Sequence, residues 1–125
     1  MYKKQIDNPL LQKSFDYSLA IIELYKLLQK DKYEYVMSKQ LLRSSTSIGA
    51  NLQEAVAAQS KKDFISKLSI SLKEAYESRY WLNLLLYSKY LDNIDNQLSL
   101  LTEIIKMTAK SIINAKANLE KQNEI

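Results

Sequence analysis

The side chains best equipped for chemistry in this 125-residue chain fall in two blocks. Arg43, Ser47, Asn51 and Glu54 recur at helical spacing in the first, and Glu74, Glu77 and Arg79 follow in the second. Glu74 and Glu77, one helical turn apart, are the kind of carboxylate pair a di-iron site in a helix bundle draws on, but such sites also use Glu-x-x-His motifs. The chain has no His, and it has no Cys. That removes imidazole bases, thiolate nucleophiles, disulfides and zinc sites of the Cys/His kind. The hydroxyls of Ser44, Ser45, Thr46 and Ser47 have no histidine base, so packing accounts for them better than catalysis. Gly49 is the only glycine, which leaves no phosphate-cradling loop and no nucleophile elbow. The better account is a structural polar network of Arg43, Asn51, Glu54 and Glu74. In it, Arg43 or Arg79 pairs with Glu54 or Glu74 and fixes the register between two helices. On that account no catalytic residue, metal or cofactor is expected, and Arg43→Ala should lower the melting temperature markedly.

A second chemistry is attraction to nucleic acid. The net charge is +4 and the sequence pI is about 9.1. A lysine-rich surface on an ordinary globular protein gives the same numbers, so charge alone leaves both readings open. Lys61, Lys62 and Lys67 form the best small basic patch, and Lys39 is a further candidate. Nine tyrosines offer stacking surfaces for single strands, although aromatics at helical spacing more often serve a core or an interface. No segment is a basic arm. Any nucleic-acid surface therefore has to be assembled by folding or by oligomerisation.

The elements that must position these groups are helices. One Gly and one Pro in 125 residues are poor material for hairpins. Asn8-Pro9 is an N-cap followed by a proline at the first helical position, and opens a first helix over about 9–31. Its apolar stripe is read through Phe15, Leu19 and Ile22 to Gln29, widened by Ile21, Leu24, Tyr25 and Leu28. A second helix is read over 34–58 through Leu41, Ile48, Leu52 and Ala55, with Val56 beside them. Its small residues at 44–49 also fit a loop read locally, or a place where another helix comes close. Ser60-Lys61-Lys62-Asp63 resembles a capping box and starts a third helix over 61–91. Phe64, Leu68, Ser71, Ala75, Ser78, Leu82 and Leu85 then form a strict 4-3 seam. Residues 92–96 cap a fourth helix over 96–121, with Leu98, Leu101, Ile105, Thr108, Ile112, Ala115 and Leu119 in its seam and a fraying tail at 122–125. Short loops between four helices predict one antiparallel up-down bundle, all-α. The third helix is apolar on more than one side, through Ile70, Leu72, Tyr76, Tyr80, Trp81, Leu84, Leu86, Tyr87 and Tyr90. Such a helix needs partners on more than one side, which points to self-association. Residues 1–9 lack the apolar stretch of a signal peptide, and no run of about 18 apolar residues exists. The expectation is a cytoplasmic protein with no membrane contact.

Gln40-Leu41-Leu42-Arg43-Ser44-Ser45-Thr46-Ser47-Ile48-Gly49-Ala50-Asn51-Leu52-Gln53-Glu54 resembles the signature of the bacterial four-helix-bundle proteins encoded in intervening sequences of 23S ribosomal RNA genes. The family pattern is roughly Arg-Ser-x-x-Ser-Ile-x-Ala-Asn-Ile-x-Glu-Gly. Lys67 to Ala75 and Glu77 to Leu82 extend the likeness. The family usually has Gly after the glutamate, where this chain has Ala55, which suggests a slightly longer second helix. The resemblance implies a homopentamer without enzymatic activity. It also implies kinship with accessory proteins of diversity-generating retroelements, which look like basic pentamers binding RNA or DNA and a reverse transcriptase.

Overall fold

The structure, a computed structural model, describes residues 8–123. The reading of residues 1–7 and the fraying of 124–125 lie outside the described residues. Four helices account for the regular structure: α1 (Pro9–Lys30), α2 (Met37–Val56), α3 (Lys61–Tyr87) and α4 (Asp95–Asn123). There is no strand among the described residues.

Each helix begins where a side chain satisfies amides that have no partner of their own. Asn8 stays extended, and its Oδ1 accepts from the Leu10 and Leu11 amides at 3.1 and 3.4 Å. Ser60 accepts from the Asp63 amide at 3.0 Å, as the Ser-x-x-Asp pattern predicts. Asn93 accepts from the Asp95 amide at 2.8 Å, and α4 starts there. The second helix begins at Met37 rather than at 34, for a reason the pattern does not display. Glu34 folds back over the first turn, and its carboxylate accepts from the amides of Val36, Met37 and Ser38 at 3.1, 3.1 and 2.7 Å. The glutamate is only 6% exposed. Burial by itself would raise its carboxyl pKa, but those amide bonds and a contact with the Ser38 hydroxyl prevail and lower it.

The turns manage without glycine. At the end of α3, the Tyr90 amide bonds to the Leu85 carbonyl and the Lys89 amide to the Leu86 carbonyl, both at 3.0 Å. That is the Schellman arrangement, with Lys89 at φ 71° in the position that usually takes Gly. It ends α3 at Tyr87, short of the expected 91. Tyr33, at φ 54°, does the equivalent work in the α1–α2 turn.

The helices run antiparallel in chain order, and α1 closes the ring against α4. The pairing shows in the contacts. Ser14 faces Gly49, Ser71 bonds to the Ile48 carbonyl, and Lys67 reaches back to Glu54. The α1–α2 and α3–α4 turns therefore share one end of the bundle, and the α2–α3 turn lies at the other. Leu41, Ile48, Leu52 and Ala55 of α2 and Leu68, Ala75, Leu82 and Leu85 of α3 are buried, as their spacing predicts. Each fully buried Leu or Ile contributes about 1.5–3 kcal/mol.

On α1 the buried face differs from the stripe read in the sequence. Leu10, Leu11, Ser14, Tyr17, Ile21 and Leu28 face inward, whereas Phe15 and Leu19 are 41% and 49% exposed. The helix is apolar on several sides. What selects its inner face is a fit of Ser14 and Tyr17 to the small residues opposite. On α4, Ile104 is buried where Ile105 was expected, and Ile105 packs at the margin. The helix also continues through Gln122 and Asn123, where fraying was expected.

Residues 44–49 are helical, not a loop. Ser44 and Thr46 fold their hydroxyls onto the carbonyls of Gln40 and Leu42, at 2.9 and 2.8 Å, within the same helix. Their neighbours bind across the core. Ser78 of α3 bonds to the Ser45 hydroxyl at 2.6 Å and to the Tyr17 hydroxyl, so three helices meet in one buried chain of hydroxyls. Burial pushes the Tyr17 phenol up to about 12 despite those two serines, which pull the other way. A folded pKa above the unfolded value of about 10 gives stability that is complete below pH 10. It is lost as pH rises through 12. Denaturant melts should therefore show stability falling by about 2–3 kcal/mol over that window. Tyr17→Phe should flatten this alkaline slope, and an equal slope in the variant would exclude the phenol as its source.

Candidate functional site

The signature residues of α2 and α3 form a polar face on the pair of helices with the most extensive contact. Arg43 is its hub. Its Nη1 donates to Glu74 at 3.1 Å, its Nη2 contacts Glu77, and its Nε donates to Gln40 at 3.2 Å. The Glu77 carboxylate also accepts from the Trp81 indole N–H at 3.0 Å. Helical periodicity explains the convergence. Glu74, Glu77 and Trp81 stand at three- and four-residue steps along one edge of α3, opposite Arg43 on antiparallel α2. Arg43 itself is half exposed, and Glu74 is the most buried of the three charged groups.

The expected network is only partly assembled. Arg43 and Glu74 meet. Asn51 instead donates to the Ser47 carbonyl of its own helix at 2.8 Å, and Glu54 pairs with Lys67 at 2.9 Å. Asn51 and Glu54 lie roughly 12–17 Å further along α2 than Arg43, beyond its reach. Among the described residues Arg79 finds no carboxylate, and it lies over the Tyr76 ring, 5.0 Å from its centre. Because solvent screens Arg43, Arg43→Ala should cost about 1 kcal/mol, not the marked loss expected of a buried pair. A thermal melt measures this, and a loss above about 3 kcal/mol would mean the cluster is shielded from water. Among the described residues no three His, Cys, Asp or Glu side chains converge as metal ligands do. The Glu74–Glu77 pair is held by the guanidinium.

The lysines nominated for nucleic acid do not form one patch. Lys61 and Lys62 open α3 at one end of the bundle, and Lys67 lies further along that helix. The Lys67 ammonium is engaged by Glu54, whose hydrogen bond and charge raise its pKa. Lys39 stands in the first turn of α2 at the opposite end, roughly 25 Å away along the helix.

Sequence reasoning missed two features. Glu34 is one, since a glutamate before a helix reads as a surface residue. The other is an open cleft of about 440 Å³ at the Lys39 end, lined by Tyr25, Lys26, Gln29, Lys30 and Tyr35. The sequence did carry a signal for it, because Tyr25-Lys26 and Gln29-Lys30 repeat at a four-residue step.

Comparison with known proteins places the chain in a family. Residues 7–110 match the model of the 23S rRNA-intervening sequence protein family. The chain belongs to that family. A crystal structure of a protein with unknown function, from the S23 ribosomal protein family of Bacteroides thetaiotaomicron VPI-5482, is similar to it. The two are 47% identical, the likeness covers 82% of this chain and 97% of that one, and the TM-score is 0.78. No functionally curated protein matches the chain. The matched stretch spans both blocks, within which Arg43, Glu74, Glu77 and Trp81 meet in space. No helix among the described residues is long and apolar enough to cross a membrane.

Proposed function

We propose that this family member is a non-catalytic, cytoplasmic homo-oligomer, a pentamer by its resemblance, that binds RNA or DNA through the basic surface of the assembled ring. The observation that carries this reading is the fate of the acidic groups. Glu34 is engaged by backbone amides, Glu54 by Lys67, Glu74 and Glu77 by Arg43, and Glu103 by Lys13. Lys39, Lys61 and Lys62 make no ion pair among the described residues. Asp16, Asp31, Asp63, Asp92, Asp95 and Glu120 share the surface with them, so the net charge of +4 is a modest excess of cations on a mixed surface. Five chains of +4 would total +20, a field that draws polyanions at low salt.

Self-association is supported by the apolar groups left in water. Tyr76, Tyr80 and Tyr87 stand on the outer side of α3 at 46%, 58% and 80% exposure. A contiguous exposed patch of this kind marks an interaction surface. The same observation favours a second reading, a protein-interaction module with no nucleic-acid role, for which a reverse transcriptase is the partner the resemblance suggests.

Two measurements test the reading. Sedimentation equilibrium should give about five times the 14.5 kDa chain mass, and a monomer would remove the ring. Fluorescence anisotropy with a structured RNA should show affinity that falls steeply with salt. No binding even at the lowest salt would favour the interaction module.

A further inference from the structure

The cleft at the α1–α2 turn combines three properties. Two phenol rings line it from different segments, Tyr25 from α1 and Tyr35 from the turn. Two ammonium groups stand beside them. Lys30 makes no ion pair among the described residues, and Lys26 meets only Glu23, at 3.6 Å with both side chains largely in water. The third property is an unused hydrogen-bond donor. Gln29 lines the cleft, and its side-chain amide nitrogen is buried without a hydrogen-bond partner. That nitrogen is closed to solvent where it stands, so Gln29 presents it to a ligand only by turning its side chain into the cleft, which would also relieve the cost of an unpaired buried donor.

The acidic groups nearby do little to repel an anion. Glu34 is turned onto the α2 amides, Glu23 faces Lys26, and Asp31 sits exposed on the cap of α1. A lysine in the last turn of a helix also favours its dipole, which explains Lys30 by itself. It does not explain Lys26, the two rings or the orphaned amide.

We infer that this cleft is a subsite for single-stranded nucleic acid, with a base stacked on Tyr25 and Tyr35, its edge read by Gln29, and flanking phosphates held by Lys26 and Lys30. Aromatic rings beside cations are the usual means of holding unpaired bases, because every base has a stackable face. A duplex keeps its bases stacked on each other and gains nothing from the rings. The inference rests on the nucleic-acid reading above and narrows it to one strand state and one place.

The test uses the full chain and two fluorescent RNAs, a 12-nucleotide single strand carrying 2-aminopurine and a hairpin duplex of equal charge. Anisotropy and 2-aminopurine quenching are followed at several salt concentrations for the wild type, Tyr25→Leu, Tyr35→Leu and Lys26→Gln/Lys30→Gln, with melting curves and sedimentation for each. Each Tyr→Leu should weaken single-strand binding about 5- to 100-fold and abolish the quenching while leaving the hairpin affinity within twofold. The double lysine variant should weaken both RNAs and reduce the salt slope. Wild-type binding that the tyrosine variants leave unchanged overturns the cleft and spares the broader reading. Absence of any wild-type binding at low salt overturns both. A tyrosine variant that alters the oligomeric state while folded, with RNA affinity unchanged, makes the cleft a subunit contact and overturns the inference.

Discussion

Ser78→Leu should destabilise the bundle by about 3 kcal/mol or more, enough to lower the melting temperature by roughly 10 °C. Ser78 is fully buried at the point where α1, α2 and α3 meet. Its hydroxyl bonds to both Ser45 and Tyr17. Leucine has no room there unless α2 and α3 separate or the Tyr17 ring leaves the core, and it strands two hydroxyls as well. Ser78→Ala isolates the hydrogen-bond part and should cost only about 1 kcal/mol. Ser66→Leu, on the exposed side of α3, should be nearly neutral and controls for leucine itself. If Ser78→Leu melts within 2 °C or so of wild type, the close approach of α2 and α3 is not what holds the helices in register.

Glu34→Ala should be the other severe change, at about 2–3 kcal/mol, although it removes no apolar contact. It leaves the amides of Val36, Met37 and Ser38 at the start of α2 without their acceptor. Glu34→Gln retains one carbonyl oxygen and should fall between. The pH dependence carries a sign that identifies the group. Its folded pKa lies below the ordinary value, so the contribution is present above about pH 4.3 and disappears as pH falls through the folded value. The gap in melting temperature between wild type and Glu34→Ala should therefore narrow below about pH 4. A constant gap down to pH 2 or so would show that the carboxylate's charge does not make the cap.

Those two sites also show how far the sequence could be read. The α3 seam was legible because its residues keep one strict period, with the small ones grouped in the middle, and the inner face of α2 was legible for the same reason. The α1 face was not. Phe15, Leu19 and Ile22 offer as convincing a stripe as the true one, and the decision rests on where Ser14 and Tyr17 find small partners on other helices. Hydrophobic periodicity carries no information about such partners. Glu34 was hidden because its role depends on a reversal of the chain that brings a carboxylate back over the next helix. The Arg43–Glu74 pair was legible as a possibility, since both lie on facing helices. Its Glu77 and Trp81 contacts, and the exclusion of Asn51 and Glu54, depend on antiparallel register. The lysines show the same limit: charge is read from composition, but whether charges share a surface is decided by folding.

An even number of alternating helices leaves Asn8 and Asn123 near one end, while the tyrosine-lined cleft lies at the other. Along α1, Asn8 and the cleft residues Tyr25 to Lys30 are separated by roughly 25–33 Å. A fluorophore placed at the Asn8 end of the bundle therefore stands well clear of the cleft, so binding can be followed there without covering the place where a strand would enter.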